Sequence, residues 1–406
     1  MKSFFRVLDP LLVIRFLAAL FVIRQHTGFN NPKLPGFLSE YSWLVAGDIN
    51  AGGRAVAVFF VISAYLMSKI WLSGKYTISF SGIYSFFLSR ISRIVPLFWL
   101  VCGLSIFLYF PYLIEPGNKL YLRTLRIFLF LDNGDKFNQV IWSVNVEMFF
   151  YLLTPILASI FLLMRKTAPI LNHLFSLLVF FSSLYFLLKP EIYNQSLFVI
   201  TTSNLLHGSW FDNGALELIC FLPVFMAGFG FYALIASVKA LFLELKSSQL
   251  SLVKKVPNPI KSFIKNLEGF GSVSKISILL PVLFIMAPLT SNFTLVVATL
   301  FFIFIVDIAS GGGLKVQNQS AGQKFGRLLN HFGHLSYGIY LFHMLILIRI
   351  NDIYSSYLMT TFGNFRSGII TFFIVSTLSI IITNFFYWAF EVPARKWILK
   401  TFAIKS

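Results

Sequence analysis

Leu11-Leu-Val-Ile-Arg15-Phe-Leu-Ala-Ala-Leu-Phe-Val-Ile-Arg24-Gln-His26 is a hydrophobic run interrupted by ionisable side chains, and how it is read decides the fold. A run this apolar reads as a membrane-crossing helix. A charged side chain near a bilayer centre costs at least about 2.5–3.5 kcal/mol, so Arg15 and His26 are expected to face a protein interior or a watery cavity. Eleven residues at about 1.5 Å rise carry His26 roughly 16 Å beyond Arg15, and about 100° per residue returns it nearly to the same face. One helix can thus line one cavity at two depths. Lys2 and Arg6 ahead of the run resemble the start of a signal peptide, but Arg15 interrupts the apolar core and no small-x-small cleavage site follows, so the segment reads as a retained span.

The rest of the chain agrees with a membrane setting. Of 406 residues, 57% are hydrophobic, only 12% are charged and 49 are phenylalanine, and the mean hydropathy is +0.79. Soluble domains do not have this composition. Apolar segments of spanning length fall near 11–28, 55–72, 94–114, 140–164, 169–188, 215–237, 276–289, 292–308, 335–350 and 368–390; the seventh is short and holds Pro281 and Pro288. The expected fold is an all-α integral membrane protein of about ten transmembrane helices, a single domain over residues 1–406 with no fused extracytoplasmic domain. A basic, Ser-rich stretch at about 237–275 reads as its longest cytoplasmic loop, and 309–334, with Gly311-Gly-Gly313, as a second, flexible one.

The net charge of +18 is distributed by topology and does not call for nucleic acid. With a cytoplasmic N-terminus, ten spans put about 22 of the 33 basic residues on the cytoplasmic side, as the positive-inside rule requires, and both termini there. Most of these side chains are expected to anchor the topology and contact anionic membrane lipid. Cys102 and Cys220 both lie in apolar segments, and no metal-type ligand spacing or disulfide framework is present in the sequence.

The polar residues that remain cluster in short blocks. Gly52-Gly-Arg-Ala-Val-Ala-Val-Phe-Phe-Val-Ile-Ser63-Ala-Tyr65 opens the second span with small residues that suit close helix packing. Arg90-Ile-Ser-Arg93 puts two guanidinium groups at i and i+3 on one helix face, a fork for phosphate oxygens or a plain cytoplasmic anchor. Trp142-Ser143-Val-Asn145-Val-Glu147 carries an acid to a depth comparable with His26, where a carboxylate beside an imidazole would fix its tautomer and raise its basicity. Ser336, Tyr337, Tyr340 and His343 line the start of the ninth span at helical spacing, either as a polar stripe of a pocket or as helix-packing groups.

In this order, the Arg-x10-His first span, the Val-x-x-Phe-Phe-x-x-Ser second, the Arg-x-x-Arg third, the Trp-Ser-x-x-x-Glu fourth, the Ser-Tyr-x-x-Tyr-Leu-x-His late span and the closing Glu391-Val-Pro393-Ala-Arg395 resemble the acyltransferase 3 family almost from end to end. Ala64 and Ala55 stand where the family often has glycine. The resemblance implies a ten-span bacterial cytoplasmic-membrane enzyme that moves an acyl group, usually acetyl from acetyl-CoA, to a hydroxyl of a glycan or glycolipid at the cell surface. It implies Arg15 and His26 as the essential first-span pair, Glu147 as the fourth-span acid, and Arg90 and Arg93 as the pair that meets the donor. Ser63, Trp142, Ser143, Ser336, Tyr337, Tyr340 and His343 are further pocket candidates, and no metal is implied.

On that reading Arg90 and Arg93 hold the donor's phosphates from the cytoplasm, and Arg15 lines the path of the pantetheine arm or stabilises the oxyanion. His26, oriented by Glu147, takes the acceptor's proton; an acetylated protein intermediate is the other route. Two alternatives remain open: the same chemistry on a lipid or small-metabolite acceptor, and a proton-coupled transporter, which also places Arg and His within the membrane.

Overall fold

The computed structural model describes residues 9–27, 51–109, 121–132, 138–194, 212–247 and 320–403, together with a few positions between 296 and 303. Among these residues the structure is helical and contains no strand. The helices are α1 (Pro10–His26), α2 (Ala51–Leu72), α3 (Phe80–Tyr109), α4 (Tyr121–Phe128), α5 (Ile141–Thr167), α6 (Pro169–Leu188), α7 (Pro190–Asn194), α8 (Asp212–Ser247), α9 (Ser320–Phe386) and, after a π-turn at Tyr387–Glu391, α10 (Val392–Phe402). α9 is two helices joined at Gly363, whose φ of 72° a side chain would oppose.

Among the described residues seven helical stretches are long and apolar enough to cross a membrane: Ala55–Leu72, Phe80–Tyr109, Ile141–Thr167, Pro169–Leu188, Leu218–Val238, Gly326–Tyr354 and Arg366–Phe402. Leucine, isoleucine and phenylalanine cover their outer faces, as at Leu171, Leu174, Leu178 and Phe181 on α6 and Phe373, Ile381 and Phe385 on α9. Such a continuous apolar exterior suits hydrocarbon and is foreign to a water-facing surface. α1, at 17 residues, is shorter than these seven. Its first turn is built by Pro10 and by Asp9, whose carboxylate accepts the Leu11 N–H at 2.9 Å, while the Asp9 N–H donates to Asn330 Oδ1 at 2.9 Å and ties the start of α1 to α9.

Several element ends differ from the sequence expectation. α3 starts well before residue 94, so Arg90 and Arg93 sit inside a continuous helix. α8 continues past 237 to Ser247, so the first part of the expected 237–275 loop is helical. α9 begins at Ser320, within the connection expected at 309–334. In each case helix-forming residues extend the backbone ladder beyond the apolar window, which marks only the lipid-embedded part. The expected segment 276–289, nearly all of 292–308, and the rest of the 237–275 loop lie outside the described residues.

The packing forms two groups. α8 lies against α6, α2 and α5, whereas α9 lies against α1 and α3, and α10 lies against α3; the contact of α1 with α2 joins the groups. The central members are the most enclosed: 72% of the apolar window of Ala55–Leu72 is buried, against 17% for Pro169–Leu188. Glycines allow the close approaches. A Cβ on Gly228 would stand 2.4 Å from the Val61 carbonyl oxygen of α2, and one on Gly333 would stand 2.3 Å from Leu12 Cβ of α1. Gly333→Ala is therefore expected to push α1 off α9 and to cost about 1–3 kcal/mol. Thermal unfolding in detergent measures it; an unchanged midpoint would show that the interface yields without strain.

Candidate functional site

The seam between the two helix groups holds the intramembrane charges. α1 brings Arg15, α2 brings Ser63, and α5 brings Glu147 with Tyr151 one turn further on. The Glu147 carboxylate accepts hydrogen bonds at Oε1 from Ser63 Oγ (2.6 Å) and Tyr151 Oη (2.5 Å), and the two hydroxyls lie 3.2 Å apart. Acceptors inside a membrane need such donors, because no water competes to solvate them. Arg15 shares a cavity of about 30 Å³ with Glu147, Phe59, Ser143, Tyr337 and Tyr340. That space admits one or two waters and no larger molecule. Arg15 Nε is shielded from solvent with no partner among the described residues, and the guanidinium carbon lies 5.9 Å from the Phe59 ring. The charges of Arg90, Arg93 and Glu147 all act on Arg15.

The remaining candidates divide between the cavity and the packing around it. Ser143 Oγ and Tyr340 Oη lie 2.7 Å apart, within 3.1 and 3.0 Å of the Val140 carbonyl, and pin α5 to α9 at the cavity wall. Tyr337 Oη donates to the Ile94 carbonyl of α3 at 3.1 Å. Trp142 is outside the cavity lining: its indole stacks on Phe221 at 5.3 Å and meets Phe60 edge-on at 6.2 Å. Ser336 is also turned away, donating to the Gly333 carbonyl of its own helix at 2.8 Å. Its hydroxyl has a local acceptor one turn back, the common fate of a serine in an apolar helix.

His26 occupies the last turn of α1, where the helix dipole favours positive charge. The orienting partnership expected between His26 and Glu147 is replaced in the structure. Glu147 is taken up by Ser63 and Tyr151 near Arg15, and the ring beside His26 is that of His343, with centroids 5.4 Å apart. The helix rise explains the exchange: Arg15 and His26 share a face but differ in depth, and Glu147 meets the deeper of the two.

Arg90 and Arg93 lie on α3. Arg90 Nε is shielded without a partner among the described residues, and its guanidinium carbon lies 5.9 Å from the Phe86 ring. Arg93 acts electrostatically on Arg15, on His334 and on Glu391, which is buried in the π-turn and also feels Arg395. Tyr151 is a site residue that the sequence reading missed, although its i, i+4 spacing from Glu147 was a usable signal. Among the described residues no cluster of His, Cys, Asp and Glu suits a metal ion. A larger, open groove of about 1140 Å³ runs between the ends of α2, α5 and α8, lined by residues such as Trp71, Leu163, Arg165 and Tyr232, and touches none of the expected site residues.

Comparison with known proteins is consistent with this geometry. The model of the acyltransferase 3 domain, described as an acyltransferase domain, matches residues 11–388. Curated proteins similar to part of the chain are the O-acetyltransferases OatA of Staphylococcus aureus strains NCTC 8325 / PS 47, COL and MRSA252, each 27% identical over 144 residues, which is 31% of this chain. The match spans 23% of the length of those relatives. No solved structure matches the chain.

Proposed function

Because the chain belongs to the acyltransferase 3 family, we propose that it is a membrane O-acetyltransferase that moves acetyl from cytoplasmic acetyl-CoA to a hydroxyl of a cell-surface glycan. In this reading it crosses the bacterial cytoplasmic membrane ten times with both termini in the cytoplasm. The observation that carries the proposal is the order of groups across the protein: the arginines of α3, then Arg15 and Glu147 on one cavity, then His26 at the far end of α1.

Each group has a task matched to its surroundings. Arg90 and Arg93 present forked donors to the phosphates of the donor. Arg15 has an unengaged Nε beside the cavity and can stabilise the oxyanion that forms when the thioester carbonyl is attacked. Glu147, anchored by Ser63 and Tyr151, keeps the guanidinium charge compensated in a medium of low polarity. His26 takes the proton of the attacking hydroxyl. A cavity of about 30 Å³ is too small for a pantetheine arm, so the helices of the seam part to admit the donor.

CoA release from acetyl-CoA by detergent-purified protein, with and without an extract of the host's surface glycans, tests the proposal. Release that depends on the extract supports it, and folded protein that releases none with any acceptor contradicts it. Arg90→Ala and Arg93→Ala are each expected to raise the KM for acetyl-CoA about 10- to 100-fold, since a charge-assisted contact contributes about 1.5–3 kcal/mol. A KM unchanged in both would remove these residues from the donor site.

A further inference from the structure

His343 is the buried group that this chemistry leaves unused. Its side chain is fully enclosed on α9. Nδ1 lies 2.6 Å from the Tyr340 carbonyl oxygen, which accepts only, so the neutral ring carries its proton on Nδ1 and its lone pair on Nε2. Nε2 is shielded from solvent and has no partner among the described residues. A buried acceptor left unpaired destabilises a fold, so Nε2 is a place for a hydrogen-bond donor.

The donor at hand is His26. Its ring lies 5.4 Å from that of His343, centroid to centroid, at an interplanar angle of 42°. Two imidazoles joined by an N–H···N bond have centroids roughly 5 Å apart, given about 2.9–3.0 Å between the nitrogens, so a small rotation of the His26 side chain, or one bridging water, completes the contact. Among the described residues His26 is the ionisable group that acts on His343. The Tyr340 hydroxyl, the other polar group nearby, is occupied by Ser143 and the Val140 carbonyl.

Resting on the O-acetyltransfer reading, we propose that His343 is the positioning residue of His26: its Nε2 accepts a hydrogen bond from one ring N–H of His26 and so holds the other, unprotonated nitrogen toward the acceptor hydroxyl. The hydroxyl oxygen then forms its bond to the acetyl carbonyl carbon while its proton passes to His26. The carbon–sulfur bond breaks, the electron pair leaves on sulfur, and the proton on His26 is returned to give CoA thiol. Throughout, His343 Nε2 faces an N–H of the His26 imidazolium. The logic is that of a serine-hydrolase triad in which a neutral imidazole does the orienting work of the carboxylate.

The first test does not depend on activity. With 15N-histidine-labelled protein in lipid nanodiscs, and His26 assigned from a His26→Gln variant, the wild type is expected to show one protonated and one unprotonated His26 nitrogen. His343→Phe is expected to show averaged signals, and His343→Gln, whose amide oxygen can still accept, a single tautomer again. An averaged wild-type ring, or a single tautomer untouched in His343→Phe, overturns the pairing. In the CoA-release assay His343→Phe is expected to lower kcat about 10²-fold with the KM for acetyl-CoA unchanged, and to move the acid limb of the pH profile of kcat/KM to lower pH, because the imidazolium loses its acceptor. His343→Gln should recover most of both. Lost activity with an unmoved acid limb would mark His343 as structural. A wild type that transfers nothing would defeat the transferase reading, while the tautomer measurement would still judge the pair.

Discussion

Glu147→Ala is expected to yield a protein destabilised by roughly 3 kcal/mol and inactive in CoA release. The variant removes the carboxylate that faces Arg15 across the inner cavity and leaves Ser63 and Tyr151 without their acceptor. Ser63 and Tyr151 are buried, and leaving a buried hydroxyl without its acceptor costs about 1–3 kcal/mol. Thermal unfolding in detergent reads the stability. The double variant Arg15→Met, Glu147→Leu separates structure from chemistry: with the uncompensated guanidinium gone, part of the lost stability should return while activity stays absent. A double variant with wild-type turnover would show that the pair is a structural lock and that the oxyanion is stabilised elsewhere.

His26→Ala should lower turnover by about 10³-fold, within the range that a general base contributes, while the KM for acetyl-CoA stays near its wild-type value. The ring occupies the final turn of α1, outside the contacts that Leu12 and Asp9 make with α9, so the fold is expected to survive its removal. Free imidazole supplied in the assay should restore part of the activity by entering the space left behind. Full activity in folded His26→Ala would remove His26 from the chemistry altogether.

How far these groups were legible in the sequence differs from residue to residue. Arg15 and His26 stood out because ionisable groups in an apolar run need a protein partner. Glu147 stood out for the same reason, but its partner was misjudged. Depth along two separate helices depends on how each is shifted against the other, and that shift is set by packing such as Gly333 on Leu12 and Gly228 on Val61. Trp142 and Ser336 looked like pocket residues because the helical period places them on a polar stripe; the structure turns the first into an aromatic stack and the second onto its own backbone. Glu391 lies in a π-turn just before α10, where the charges of Arg93 and Arg395 act on it.

The sequence by itself determined the helical, membrane-embedded character of the protein and which residues are out of place in it. Both follow from local quantities, the length of an apolar run and the cost of a charge within it. Only the tertiary structure decided the partnerships: Glu147 with Ser63, Tyr151 and the Arg15 cavity, and His26 with His343. Those pairings join side chains far apart in the chain, and the relative shift of packed helices that brings them together leaves no periodic trace in any one segment.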